Sequence, residues 1–357
     1  FGAHPDDDED DTAAIQRTVE TALELGYATF FPSGRYLLSD TIRAMQPSVY
    51  DKAKDKARHD RTKANALIGS TLGEGPRLVL AADAQGFDDP ANPKPLVWIW
   101  GQPRNDRASG KPRNLGSTDP NDEQSNISMN QVFKGIDIDL RAAGNRGAIG
   151  IRHAGSQGST LEDVEIWANG AYAGVVNAPG QGGGSYRLKI TGGDYGIWAD
   201  YRSRFPIMAG VELLEQRKSA LFWGGQSNLT MAGFRIVRST VGPVITLHSG
   251  RKPIQGALTL VDGVIEVQGG TAIDNRVGNH LYLNNVSFRG ADVLLKSANR
   301  APVTPQAGWT RLIEYAFGAH KSAVVLNGQA QQAGTEVIDI APGVAPDWAA
   351  IKARHVW

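Results

Sequence analysis

The sequence predicts an all-β protein, a single right-handed parallel β-helix with a capping helix at its N-terminus. Three observations carry this expectation. From about residue 132 to about residue 288 the chain repeats a short apolar strand, a Gly/Asn/Asp turn, a second strand and a Gly-rich turn. Anchors at Ile151, Val175, Ile197, Leu221, Val244 and Ile273 are separated by 24, 22, 24, 23 and 29 residues. No helical pattern runs through this stretch, and the Leu-x-x-Leu-x-Leu spacing of leucine-rich repeats, which share the period, is missing. None of these strands could bury itself alone, but stacked coils could.

Composition sets the outer bounds. The chain has 357 residues, enough for one elongated solenoid or two compact domains, and its 42 glycines fit a fold with many turns. The formal net charge is zero, which argues against a dedicated nucleic-acid surface. Cysteine is absent, so disulfides and thiolate metal sites are excluded and redox chemistry does not reveal the compartment. No apolar run approaches the ~20 residues that span a bilayer. A start at Phe1-Gly2-Ala3 without Met suggests a processed or trimmed N-terminus. The expected setting is secreted or periplasmic.

The elements follow in order. Ile15, Val19, Ala22 and Leu23 share one helical face, so residues 11–25 read as the capping helix. Asp10, Asp11 or Thr12 can cap it, and the acidic run before it favours its positive end. A calcium site is the other reading of that run, but the EF-hand pattern is not matched. Gly26 stops the helix. Tyr27-Ala28-Thr29-Phe30-Phe31 then reads as a strand, Pro32-Ser33-Gly34 as a turn and Arg35-Tyr36-Leu37-Leu38 as the returning strand. Residues 47–65 and 102–124 read as long loops. Between them lie early strands at Leu78-Val79-Leu80 and Leu96-Val97-Trp98-Ile99-Trp100. Tail strands are expected around residues 312–313, 323–326 and 337–340, and a short closing helix at 346–352.

Side chains alternate along a strand. With the anchors pointing in, Arg152, Val176, Trp198, Phe222, Ile245 and Asp274 point out. Val176, Trp198, Phe222 and Ile245 would then form an outer apolar face, suited to docking a second β-helix domain or a second copy of the chain, or to stacking a sugar on Trp198. A register error of one residue would bury this row instead.

Two segments carry a family resemblance. The opening Phe1-Gly2-Ala3, Asp10-Asp11-Thr12-Ala13-Ala14-Ile15-Gln16 and Phe31-Pro32-Ser33-Gly34-Arg35-Tyr36 resembles the start of pectate-lyase-superfamily (pectin-lyase-like) β-helix domains. His4-Pro5-Asp6-Asp7 replaces the usual glycine-rich part. The middle is similar to glycoside hydrolase family 55, a family of exo-acting β-1,3-glucanases. The residues that carry it are Ser156-Gln157-Gly158-Ser159-Thr160-Leu161-Glu162-Asp163-Val164, Gly182-Gly183-Gly184-Ser185 and Gly192-Gly193-Asp194-Tyr195-Gly196-Ile197-Trp198. That resemblance implies an inverting hydrolase on an extended polysaccharide, with Gln157 at the position that helps hold the nucleophilic water. It also implies two tandem β-helices with the active site at their junction and the general-acid Glu in the second. This chain has length for one and no position matching that acid, so the resemblance implies either the first half of a longer tandem protein or a partner β-helix in another chain.

The residues themselves offer several chemistries. Stretch 194–204 gathers two carboxylates, two arginines and three aromatics. Asp200 shares the outward parity of Trp198, and Glu215 comes one coil later. Inversion needs an acid and a base about 6.5–9.5 Å apart, and Asp200 and Glu215 are the candidates. Pairing with Arg202, Arg204 or Arg217 is the competing fate of these carboxylates. Trp198, Tyr201, Arg202, Arg152 and His153 are candidate substrate contacts. Among them Arg152, His153, Tyr201 and Arg202, with Lys218, could instead serve β-elimination from a uronate polymer, which needs a base and a neutralised carboxylate. No metal motif or phosphate loop is present, and no cofactor is expected. Three functions therefore stand: hydrolase, polysaccharide lyase, and non-catalytic polysaccharide-binding or assembly subunit.

Overall fold

The computed structural model describes residues 1–51, 56–59, 63–101, 123, 127–200, 203, 205–225, 227–248, 256–298, 300–318, 324–326, 329–331 and 336–355. Most of the expected loop at 102–124 and parts of that at 47–65 lie outside these residues. The chain divides into two compact units, Phe1–Ser185 with 202–204, and 186–201 with 205–357.

In the first unit, helix α1 (Thr12–Leu25) buries Ala14, Ile15 and Val19. Its first turn is held by Asp10, whose Oδ1 accepts from the Thr12 N–H at 3.0 Å while Oδ2 accepts from the Ser39 hydroxyl at 2.6 Å. Burial pushes the Asp10 carboxyl up, but the hydrogen bonds from Ser39 and Thr12 outweigh it and hold the group below its usual range. Gly26 closes the helix in the left-handed region, φ 74°. The first coil is β1 (Thr29–Phe31), β2 (Gly34–Leu38) and β3 (Ile42–Gln46). A hairpin of β4 (Ser48–Asp51) and β5 (Lys56–His59) follows, where the sequence suggested only loop. The second coil is β6 (Ala66–Gly69), β7 (Pro76–Leu80) and β8 (Lys94–Gly101). The third is β9 (Val132–Lys134), β10 (Asp137–Asp139) and β11 (Ala148–His153), and the fourth is β12 (Thr160–Ala168) and β13 (Ala173–Val176).

Three parallel ladders join these coils. β1, β6, β9 and the start of β12 form one. β2, β7, β10 and the end of β12 form the second. β3, β8, β11 and β13 form the third. The strands flanking Pro32-Ser33 are therefore not a returning pair. Each pairs instead with the next coil, because Pro32-Ser33 turns a corner of the coil. Inside, Leu67, Phe133 and Leu161 stack in register, as do Leu78, Ile138 and Ile166, and Val97, Ile151 and Val175, all with 0% exposure.

The second unit alternates long and short strands. The long ones are β14 (Gly184–Gly192), β16 (Ile207–Leu214), β18 (Leu229–Val237), β20 (Leu258–Glu266) and β22 (Leu281–Arg289). The short ones are β15 (Tyr195–Ala199), β17 (Ser219–Trp223), β19 (Ile245–Leu247), β21 (Thr271–Asn275) and β23 (Val293–Ser297). β16, β18, β20 and β22 pair in parallel, and so do β15, β17, β19, β21 and β23. Each of the four paired long strands is bent by one left-handed residue: Gly210, Gly233, Asp262 and Asn285, with φ of 66°, 61°, 52° and 54°. These positions stack, since the pairing register skips each of them in turn. Glycine has no steric penalty there, and Asp and Asn tolerate this region better than other side chains. One long strand thus supplies two faces of a coil, and the short strand supplies the third.

Parallel stacking ends at β24 (Trp309–Phe317), which runs antiparallel to β22, and β27 (Glu336–Gly343) runs antiparallel to β24. Between them β25 (Val324–Leu326) and β26 (Gln329–Gln331) form a hairpin. Helix α2 (Trp348–His355) lies over β16, β18 and β20. Lys352 Nζ reaches Glu212 at 2.8 Å, and His355 Nε2 reaches Asp262 Oδ2 at 2.7 Å.

The interior of this unit is a set of apolar columns. Ile197, Leu221, Ile245, Ile273 and Leu295 are in register and at most 1% exposed. A buried Leu or Ile contributes roughly 1.5–3 kcal/mol relative to exposure. Truncation in mid-column also leaves a cavity that its neighbours, fixed by the ladder, cannot fill. Leu221→Ala is therefore expected to lower unfolding stability by about 2–5 kcal/mol in a denaturant titration. A loss below 1 kcal/mol would contradict the packed column.

Candidate functional site

The short-strand sheet of the second unit places one side chain per coil on its outer surface. Trp198 stands over Phe222, Phe222 over Thr246, Thr246 over Asp274 and Asp274 over Lys296. Ile245 is not in this row. It points into the core with 0% exposure, in register with Leu221 and Ile273. The reason is a corner residue. Val244 precedes the strand, is buried, and its carbonyl accepts from the N–H groups of both Ala220 and Leu221, at 2.8 and 3.0 Å. Two successive buried residues at the corner shift the alternation by one. Val176, in register with Arg152 in the first unit, is itself only 4% exposed. The expected outer apolar face thus shrinks to Trp198 and Phe222, both half-buried.

These two rings belong to an aromatic group. The Trp198 and Phe222 centroids are 6.3 Å apart with planes at 22°, and the His248 imidazole stacks on Phe222 at 4.0 Å and 13°. Tyr195 leans on Phe222 at 5.1 Å. His248 is seated because Gly224 leaves it room: a Cβ there would lie 2.2 Å from the imidazole Cε1. Burial pushes the His248 pKa down. A backbone contact at Ala199 and the charge of Asp200 oppose this without reversing it. His248 is therefore a neutral imidazole at pH 7, beside a carboxylate that is itself 7% exposed. Nothing in the sequence points to this pairing, because solitary histidines carry no motif.

The far end of the same strands is a charged corner. Asp194, 2% exposed, accepts from Arg217 Nε at 2.7 Å and pairs with Lys218 Nζ at 3.0 Å. Burial raises the Asp194 carboxyl, but its bonds to Lys218 and Arg217 prevail and hold it below the usual range. Behind it Arg238 donates to the carbonyls of Arg217, Lys218, Val241 and Pro243 and to the Thr240 hydroxyl. Glu215 sits in this corner with φ 58°, its Oε2 accepting from the Ser239 N–H at 2.9 Å and hydroxyl at 2.6 Å. Asp200 lies beyond the other end of β15, a five-residue strand, so the strand alone separates the two ends by about 16 Å. Asp200 and Glu215 are thus not brought together across one bond.

The candidates in the first unit are placed as follows. Arg152 points outward and grips Glu123 with two bonds of 2.9 and 2.8 Å, and Glu123 also accepts from the Trp98 indole at 2.8 Å. His153 points inward with 0% exposure and is closed off from any substrate. Its ring packs on Gly155, where a Cβ would lie 2.5 Å from Cε1. Gln157 is exposed in the turn between β11 and β12, and its backbone carbonyl accepts from the Asn130 N–H at 2.9 Å. Tyr201 and Arg202 lie outside the described residues.

His153 carries a pH signature. Burial pushes its pKa down from 6.5 to about 4, only partly offset by backbone contacts. The unfolded chain therefore takes up this proton first as pH falls. The contribution is fully present above pH 6.5 and is lost as pH drops toward 4, amounting to roughly 3 kcal/mol. In His153→Gln the stability loss between these two pH values should flatten in denaturant titrations. An unchanged acid limb would show that His153 is not the group responsible.

Comparisons with known proteins agree with this architecture at the N-terminus. Residues 1–53, which hold α1 and the first coil, match the family model described as rhamnogalacturonase A/epimerase, pectate lyase-like. No curated protein matches the chain in sequence. Among solved structures, the chain is similar to ORF18 of Geobacillus virus E2, at 13% identity over 97% of this chain and 78% of that one, TM-score 0.45. PfbA, a surface adhesin of Streptococcus pneumoniae, aligns at 11% identity over 94% and 97%, TM-score 0.37. An iota-carrageenase complexed to iota-carrageenan fragments aligns at 14% identity over 79% and 56%, TM-score 0.34. The observed coil registers make this chain a parallel β-helix, and its opening is similar to the pectate-lyase-like family model.

Proposed function

We propose that the protein acts on an extended polysaccharide whose sugar rings rest on the Trp198–Phe222 platform of the second unit. The observation that carries this reading is the pair of half-buried, nearly parallel rings, in register on one outer face and flanked by Asp200 and His248. Aromatic faces suit the C–H faces of pyranose rings, and a neighbouring carboxylate and imidazole suit their hydroxyls. Two rings are a small apolar surface for docking a second β-helix, since a stable interface buries about 800 Å² per partner.

The finer reading is hydrolysis of a β-1,3-glucan-type polymer by exo attack with inversion, as the family 55 resemblance implies. Water adds at the anomeric carbon as the glycosidic C–O bond breaks. One group removes a proton from the water and another protonates the leaving oxygen. Asp200 is the candidate for proton transfer, and the resemblance gives the general acid to a second β-helix. A polymer substrate of this kind fits a secreted or periplasmic protein. One observation favours a second reading. The His248 imidazole, stacked on Phe222 on the platform face, is a group of the kind that β-elimination from a uronate requires as its base.

Incubation with laminarin and with a panel of uronate polymers separates the two. New reducing ends without an ultraviolet-absorbing product support hydrolysis, whereas an unsaturated, absorbing product supports elimination. Trp198→Ala should weaken binding of the cognate polymer about fivefold, the value of one ring stacking at ~1 kcal/mol. Binding by Trp198→Ala at full strength would remove the platform from the proposal.

A further inference from the structure

A second site is formed in the first unit, under the capping helix. Between α1 and β3 lies a cleft of about 500 Å³, within the range of small-molecule sites. Its apolar wall includes Val19, Leu23 and Met45. The helix is tied across one side of the cleft by Gln16, whose side-chain amide accepts from the Arg43 N–H at 2.8 Å and donates to the Arg43 carbonyl at 3.1 Å. That pair of bonds occupies the edge of β3 at Arg43 as a neighbouring strand would.

Two of the lining residues each hold a buried polar atom that has no hydrogen-bond partner. One is the indole Nε1–H of Trp100, a residue 1% exposed, and the other is Oδ1 of Asn65, 3% exposed. The orientation of the Asn65 amide is fixed by its neighbours. Gln131 Oε1 accepts from both the backbone N–H and Nδ2 of Asn65, at 3.0 and 2.9 Å, which leaves Oδ1 as the free acceptor. Trp100 cannot turn away either, since it is stacked on Trp98 at 4.5 Å and 9°. A buried unpaired donor or acceptor is costly, and the great majority in folded proteins are satisfied.

The orphans are of opposite kind. A hydroxyl group is the ligand function that accepts one hydrogen bond and donates another, so one class of group answers both. An apolar wall facing C–H groups and polar atoms facing hydroxyls is the lining a sugar ring requires. We propose that this cleft is a saccharide-binding site, with Trp100 and Asn65 reading hydroxyls of a mono- or disaccharide. The proposal does not rest on the Trp198 platform.

Isothermal titration calorimetry of the full chain with glucose, laminaribiose and digalacturonate tests it, with thermal melts to confirm that each variant is folded. Trp100→Phe keeps the ring and removes the donor, and should weaken binding of the accepted sugar about fivefold to tenfold. Ala13→Phe, on the cleft-lining face of α1, should block the cleft and abolish binding while leaving Trp100 in place. Each titration is repeated in Trp198→Ala protein, so that binding at the platform is separated from binding at the cleft. Three results would overturn the site: no saturable binding of any of these sugars, binding that survives Ala13→Phe in the Trp198→Ala protein, or binding lost in Trp198→Ala but kept in both cleft variants. A crystal of the sugar-soaked protein showing a lone water on Trp100 and Asn65 would likewise reduce the cleft to a hydration site.

Discussion

The structure depends on one constraint: a residue in one coil must stand over its equivalent in the next. Parallel pairing enforces it, because the ladder hydrogen bonds fix the register and the register fixes which side chains meet. Once Ile197 stands over Leu221 and Leu221 over Ile245, the apolar column inside is continuous. The outer row is then also determined, and it brings Trp198 to Phe222. The aromatic surface is thus a by-product of core registration. Neither residue has to find the other, because each is carried there by the buried residue beside it.

Corners are where this economy costs something. A turning backbone exposes carbonyls and N–H groups that no ladder satisfies. Arg238 answers this at the β18–β19 corner by donating to four carbonyls at once, and Asp194 answers it with two cations in the corner before β15. Burial pushes the Arg238 pKa down, although the Glu215 charge opposes it. A charged group is thus held where carbonyl dipoles, more than a carboxylate, compensate for the lost water.

Much of the fold was legible from spacing. The 22–29-residue interval of apolar anchors reflects the length of one coil, which is a local property of the chain. The exact face was less legible. At Val244–Ile245 two successive residues are buried because the backbone turns between them, and simple alternation assigned Ile245 to the outside. At β1 and β2 a Pro-Ser-Gly turn resembled a hairpin, although the partners are a whole coil away. The site was legible only in part. Trp198 and Asp200 stood out because they share a strand with other functional residue types. His248 did not, because its neighbours Phe222 and Asp200 lie more than twenty residues before it. Arg238 left no signal, since backbone carbonyls have no letter in a sequence. Trp100 and Asn65 were equally silent, because an unmet hydrogen bond is a property of the packed structure.

The stacked left-handed bend has a consequence for how such a chain can diversify. β16, β18, β20 and β22 keep eight or nine residues each, and in every one the bend is a single residue wide. An insertion there would break the stack above and below it. The connections around the short strands are under no such demand. The one from β19 to β20 spans ten residues, whereas that from β22 to β23 spans three. New sequence can therefore accumulate at the rims of the short-strand sheet without disturbing the coil, and those rims border Trp198 and Phe222. In the second unit the architecture holds two faces of the coil fixed and leaves the borders of the third open to remodelling by evolution, or by grafting of foreign loops.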